Sequence, residues 1–237
     1  MFDTLQEVID FQISPASNKI IYETFEKNVR NNSLLYSSFV SSDGFGEVAF
    51  SWNWKLMVDD MPNHFNFLEI GVYKGRVLSQ IGLLSKLANK TSKIYGITPL
   101  SSAGDKYGEY VKCPYLNEIS VNFKKFNDTT DSLTIFNGFS QEQHILNIIK
   151  NMEQFDIIYI DGSHNYDDVC NDIKNYIPYL KVGGYLVIDD ASLYIDNAHG
   201  MFLGHPDVGR AINDTIPAFK NIKELYAVGH NRVWKKI

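Results

Sequence analysis

A chain of 237 residues, 44% hydrophobic and 21% charged, carries enough apolar material for one sizeable core. Its formal net charge of −6, with no basic stripe, argues against a nucleic-acid surface. Two cysteines, Cys113 and Cys170, make neither a disulfide framework nor a zinc site, and no run approaches the ~18 apolar residues of a membrane span.

The first ten residues, MFDTLQEVID, are acidic and polar and do not read as a signal peptide, so the expected compartment is the reducing cytoplasm. Residues 1–64 are irregular and are expected to form an N-terminal helical and loop cover. Within them, residues 19–29 read as an amphipathic helix with Ile20 or Ile21, Phe25 and Val29 on one side. Residues 31–54 are rich in Ser, Gly and aromatics and read as loop or short helix; Phe50, Trp52 and Trp54 suit either a lid or a core.

A second unit, residues 65–237, alternates apolar runs of two periods. Short buried strands are expected at 67–70, 93–97, 132–136, 155–161 and 185–190, the last entered through Gly183-Gly184. Helical spacing appears at 76–88, after Ser140, at 166–180 and at 207–219. Ser140 with Gln143 has the spacing of a capping box, whereas 99–131 is polar and gives no assignment. The last residues read as a hairpin through Gly229-His230. Continuously apolar strands separated by helices specify an α/β fold, Rossmann-like and doubly wound, with a mostly parallel sheet and a C-terminal antiparallel hairpin. Ligands of such sheets bind outside the carboxyl ends of the strands.

The first strand ends in E-I-G-V-Y-K-G, residues 69–75. A glycine turn there brings backbone close to a ligand. Dinucleotide binding wants a middle glycine, where this chain has Tyr73, and Glu69 repels phosphate. A carboxylate suits a cationic, hydroxyl-rich ligand, which points to S-adenosylmethionine. Asp161 ends the fourth strand, and Asp189 and Asp190 end the fifth. Strands lie ~4.8 Å apart, so these carboxylates can converge, and they then repel unless protonated or neutralised by a cation such as Mg²⁺.

LEIGVYKGRVLS, IIYIDGSHNYDDVCNDI, YLKVGGYLVIDD and HPDVGRAIND together resemble the class I S-adenosylmethionine-dependent methyltransferases. The nearest branch is the metal-dependent one of macrolide-sugar O-methyltransferases and cephalosporin-hydroxylase-like proteins. The resemblance spans residues 65–237. It implies that Glu69, Gly71, Tyr73 and Gly75 lie at the cofactor, with Thr98 at its ribose and Gly138, Phe139, Ser140 and Gln141 at its adenine, Asp161 also bordering it. Where this chain has Thr98 the family usually has an acid that grips the ribose diol. Either another group such as Asp105 takes over, or affinity is reduced, or the site is degenerate.

The resemblance further implies that Asp161, Asp189 and Asp190 ligate Mg²⁺ or another divalent cation. His164, in D-x-x-H after Asp161, is then the base that deprotonates a hydroxyl. Its plainer role is a loop histidine bonded to Asp161 or backbone. His199 is a second candidate; Tyr166 either touches substrate or starts a helix; Arg210 either pairs with a substrate carboxylate or lies on a solvated helix face, and Lys235 and Lys236 read as solvated.

The expected activity is metal-assisted methyl transfer to a hydroxyl of a sugar or other small molecule, His164 and Asp161 being catalytic. No nucleic acid or membrane partner is expected, and a homo-oligomer stays open. The alternatives are a degenerate fold kept as a non-catalytic binding module and a nicotinamide-dependent oxidoreductase.

Overall fold

The structure, a computed structural model, describes residues 2–12, 17–102, 104–107, 110–193 and 201–237. The amino-terminal part holds α1 (Leu5–Phe11), α2 (Ser17–Asn31), α3 (Ser33–Ser41) and α4 (Phe50–Asp60). Of the aligned apolar residues of α2, Ile21, Phe25 and Val29 are fully buried, while Ile20 is exposed. Much of the segment read as loop or short helix is therefore helical. Its aromatics explain why: Phe50, Trp52 and Trp54 all turn inward, so α4 forms because it has a core to bury, against a weak sequence pattern. Phe50, Trp52 and Trp54 belong to the core and form no lid.

From β1 (His64–Ile70) the chain alternates with α5 (Arg76–Leu87), β2 (Thr91–Thr98), α6 (Tyr115–Lys124), β3 (Leu133–Asn137), α7 (Gln143–Lys150), β4 (Phe155–Ile160), α8 (Tyr166–Tyr176) and β5 (Leu180–Ile188). It closes with α9 (Pro206–Thr215), β6 (Ile222–Val228) and β7 (Asn231–Lys236). The strand order is β3-β2-β1-β4-β5-β7-β6; β1 to β5 run parallel and β7 is antiparallel to both of its neighbours. The expected sheet and hairpin are present. α6 occupies part of the unassigned polar stretch, and Tyr166 opens α8 as a helix start.

Successive strand residues point to opposite faces, and each face has its own helical cover. Phe67, Tyr159 and Val187 pack with Phe25, Trp54, Ile81 and Phe123 on one side. Leu68, Ile158 and Leu186 pack with Ile149, Ile173 and Ile212 on the other. Strand addition turns from one direction to the other between β1 and β4. That reversal opens a crevice at the carboxyl ends, where the site lies.

Two local expectations are corrected. Ser140 does not cap α7: its hydroxyl donates to Asp172 at 2.6 Å, and the residue before the helix is Glu142, which offers it no side-chain cap. Lys235 and Lys236 are partly buried; Lys236 Nζ donates to the Leu180 carbonyl at 2.7 Å and Lys235 Nζ to the Tyr185 hydroxyl at 2.9 Å.

Candidate active site

A cavity of about 820 Å³ opens at this crevice. Its size suits one nucleoside-sized ligand together with a second small molecule. Glu69, Gly71, Tyr73, Gly75, Thr98, Gly138, Phe139, Ser140, Gln141 and Asp161 all line it.

The floor is the turn between β1 and α5. Gly71 donates its amide to the Ile97 carbonyl at 3.0 Å, and its φ of +95° places it where a Cβ would sit 2.0 Å from the Asp161 carbonyl oxygen. Glycine is therefore required there by the close passage of the loop after β4, quite apart from any ligand. Gly75 (φ +80°) begins α5 without a side-chain cap. The Glu69 carboxyl accepts from the Leu78 amide in the first helical turn, yet Glu69 Oε2 has no partner. Burial first, then the nearby Asp189, pushes the Glu69 pKa up to about 8. An unpartnered buried carboxyl oxygen on a cavity wall is suited to a cation.

Tyr73 stacks on Phe45 at 4.7 Å and lies near Tyr110 and Tyr115 at 5.6 and 5.8 Å. The loop carrying Phe45 is drawn over the site from the amino-terminal region: Lys74 pairs with Asp43 at 2.5 Å, and Arg76 Nη2 donates to the Ser42 carbonyl at 2.7 Å. Thr98 closes β2 with its hydroxyl accepting from Leu100 N at 3.3 Å. At the far end, the Ser140 hydroxyl meets Asp172, and Gln141 donates to Asp168 Oδ1 at 3.1 Å. Asp172 is 2% exposed, and its burial pushes its pKa up to about 7.

The opposite wall is a cluster of carboxylates and imidazoles. Asp161 N and Asp189 N continue the ladders of β4 and β5 by donating to Ile70 O and Ile160 O at 2.8 and 2.9 Å. β5 ends at Ile188, and Asp190 adopts φ +52°, so Asp189 and Asp190 do not alternate like strand residues; both face the cavity. The turn is locked by Gly204, whose Cβ would meet the Asp190 carbonyl at 2.0 Å, and by His205 N, which donates to that carbonyl at 3.1 Å.

His164 sits between two acids, its Nδ1 2.9 Å from Asp105 Oδ2, a contact that is close but not an aligned hydrogen bond, and its Nε2 3.0 Å from Asp190 Oδ2. Asp105 also accepts from the His164 amide. Asp105 thus spends Oδ2 on His164 while lining the same cavity. Burial acts to lower the His164 pKa, but Asp190 and Asp105 outweigh it and raise it. Burial would also raise the Asp190 pKa; His164 and His230 overcome this and hold it below the ordinary carboxylate range. Asp161 is pushed well above that range by burial, by Asp189 and by Glu69.

Among the described residues, two groups present three ligand atoms within 4.8 Å of one another: His164, Asp190 and His205, and Asp189, Asp190 and His230. Asp161 leans on Asp189 and enters neither group. The sequence reading singled out Asp189, Asp190 and His164 but missed His205 and His230, which arrive from the start of α9 and the β6–β7 turn. His199 lies outside the described residues. Arg210 pairs with Asp207 at 3.1 Å and stacks over Tyr166, in keeping with a helix-surface role.

The profile of the methyltransferase domain family matches residues 68–191, just over half of the chain. The chain belongs to that family. It carries the class I, S-adenosylmethionine-dependent methyltransferase fold, and the nicotinamide alternative is set aside. An uncharacterized protein of Acanthamoeba polyphaga mimivirus is 31% identical over 144 residues, 58% of this chain; the chain covers 59% of that relative's length. The solved O-methyltransferase NovP superposes with a TM-score of 0.55 at 15% identity, over 79% of each chain. An O-methyltransferase from Bacillus cereus, in complex with SAH, does so with 0.53 at 14%, over 97% of this chain and all of that one. A TDP-rhamnose 3'-O-methyltransferase of calicheamicin biosynthesis gives 0.51 at 17%, over 78% of this chain and 76% of that one. At these identities the likeness is one of fold. No helix among the described residues is long and apolar enough to cross a membrane.

Proposed function

We propose that this methyltransferase moves the methyl group of S-adenosylmethionine to a hydroxyl oxygen of a sugar or another small molecule, assisted by a divalent cation. Residues 1–64 act as a cover on the acceptor side, and residues 65–237 form the catalytic core. The observation that carries this reading is that the unpartnered Glu69 Oε2 and the Asp189–Asp190 pair line one cavity. The solved sugar O-methyltransferase of the same fold supports the acceptor class.

When bound, S-adenosylmethionine supplies a methyl carbon on a good leaving group, and a divalent cation supplies Lewis acidity to the acceptor oxygens. Glu69 holds the positive end of the cofactor, Thr98 faces its ribose, and Gly138 to Gln141 border its adenine. Asp189 and Asp190 hold the cation. His164, whose backbone amide donates to Asp105 and whose Nε2 lies in the cavity beside Asp190, would take the proton of the acceptor hydroxyl. The Phe45–Tyr73 stack would form one wall of the acceptor pocket. Fixing donor and acceptor in line supplies much of the rate.

The experiment is to incubate the protein with S-adenosylmethionine and a panel of nucleotide-linked sugars and vicinal diols, with Mg²⁺, Mn²⁺ or EDTA, and to measure S-adenosylhomocysteine and methylated product. Metal-dependent turnover, lost in His164→Ala, is expected. Turnover insensitive to EDTA and to Asp190→Asn contradicts the metal-assisted part, and methyl transfer only to nitrogen or carbon acceptors contradicts the acceptor class.

A further inference from the structure

His230 occupies the two-residue turn between β6 and β7, which a sequence reading treats as a connector. In the fold this turn reaches the carboxyl end of β5. His230 Nδ1 lies 2.8 Å from Asp189 Oδ1 and 3.0 Å from Asp190 Oδ1. Neither His230 Nδ1 nor Asp189 Oδ1 has an aligned hydrogen-bond partner, although His230 is only 7% exposed. A buried imidazolium facing two carboxylates would normally point its N–H along one of them. Here Nδ1 stands close to both carboxylates without an aligned hydrogen bond to either. Adjacent ligands around an octahedral ion with bonds near 2.1 Å stand about 3.0 Å apart, which is the spacing observed.

We propose that His230 is a nitrogen ligand of the divalent ion, completing a centre of Asp189 Oδ1, Asp190 Oδ1 and His230 Nδ1 that selects a transition ion such as Mn²⁺ or Co²⁺ over Mg²⁺. This rests on the metal-assisted reading above and changes both its ligand set and its ion. Imidazole nitrogen suits first-row transition ions, whereas Mg²⁺ prefers oxygen alone.

The surroundings hold the ring as a ligand is held. The His230 carbonyl accepts from Ala191 N at 2.8 Å, and the Gly229 carbonyl accepts from Asn18 Nδ2 at 2.9 Å, tying the turn to the segment after β5 and to α2. The Phe50 ring packs edge-on at 4.8 Å. Such outer contacts fix ring orientation at a metal centre. They also give the amino-terminal cover a role at the site, because Asn18 and Phe50 both belong to it. Asp190 divides its two oxygens: Oδ1 faces His230, and Oδ2 faces His164. One carboxylate thus joins the ion to the base, and three protein ligands leave positions open for acceptor oxygens.

The test uses the full-length protein and Mn²⁺ as probe. Free Mn²⁺ is titrated by electron paramagnetic resonance, with Mg²⁺ as competitor, and the bound ion is examined by pulsed methods for nitrogen coupling. The unmodified protein is expected to prefer Mn²⁺ over Mg²⁺ by about tenfold or more and to show an imidazole signal. His230→Gln should lose that signal and about tenfold or more in Mn²⁺ affinity, whereas His205→Gln keeps the signal. Equal affinity of the unmodified protein for the two ions, or a signal absent from it or surviving in His230→Gln, overturns the proposal and leaves an oxygen-only centre standing. The first comparison needs no variant, so a misfolded His230→Gln does not shield the proposal. Failure to bind either ion overturns the metal-assisted reading as well, leaving His230 a buried ion-pair partner.

Discussion

Glu69 is held in the sheet with one carboxyl oxygen unpartnered and a pKa pushed up to about 8 by burial and by Asp189. At pH 7 the free protein therefore favours the protonated form, and a bound sulfonium favours the ionised one. Titration with S-adenosylmethionine in buffers of different ionisation enthalpy should reveal proton release at pH 7 that fades towards pH 9. Glu69→Gln should weaken binding by about tenfold or more, because a charge-assisted contact is lost. Asp172 offers a stability test at the other end of the cavity. Its folded pKa is pushed up to about 7 from the ordinary 3.8, so the unfolded chain releases its proton first. Stability is fully present at acid pH and is lost as pH rises from the unfolded towards the folded value, by about 1.4 kcal/mol per pH unit. Urea unfolding of Asp172→Asn at pH 5 and pH 8 should show a smaller loss than the unmodified chain. Glu69 was legible in the sequence because a glycine turn follows it directly. His230 was not, because a Gly-His pair in a hairpin carries no local mark of what faces it in space.

At the scale of elements, the periodicity of apolar residues located every strand of the parallel sheet and the helices between them, α6 apart, because burial on both faces leaves continuous runs. It failed where tertiary contact overrides local pattern. α4 forms for its three buried aromatics, and Ser140 abandons the helix cap to bond Asp172. The turns can be tested one against another. Gly183 has φ +84° and open space where a Cβ would stand, so Gly183→Ala should cost about 1–2 kcal/mol from backbone strain alone. Gly71→Ala sets its Cβ 2.0 Å from the Asp161 carbonyl oxygen and 2.4 Å from Gly162 Cα. Neither backbone can yield without moving the loop that carries His164, so denaturant unfolding should show a markedly larger loss for Gly71→Ala than for Gly183→Ala.

Across the whole molecule, the amino-terminal helices share a core with one face of the sheet. Trp54 is 1% exposed, with Tyr159 and Phe67 ring centroids at 4.9 and 6.0 Å. Trp54→Ala should therefore cost about 3–5 kcal/mol and lower a single cooperative transition rather than release the cover separately. The sequence left these aromatics open between lid and core, because it does not show that Trp54 meets Tyr159 from a distant strand.

The most direct measurement is calorimetric titration of the purified full-length protein with S-adenosylmethionine. Saturable binding of a single equivalent per chain is predicted. No heat and no thermal shift at millimolar cofactor, with the protein folded, would contradict the assignment of this cavity.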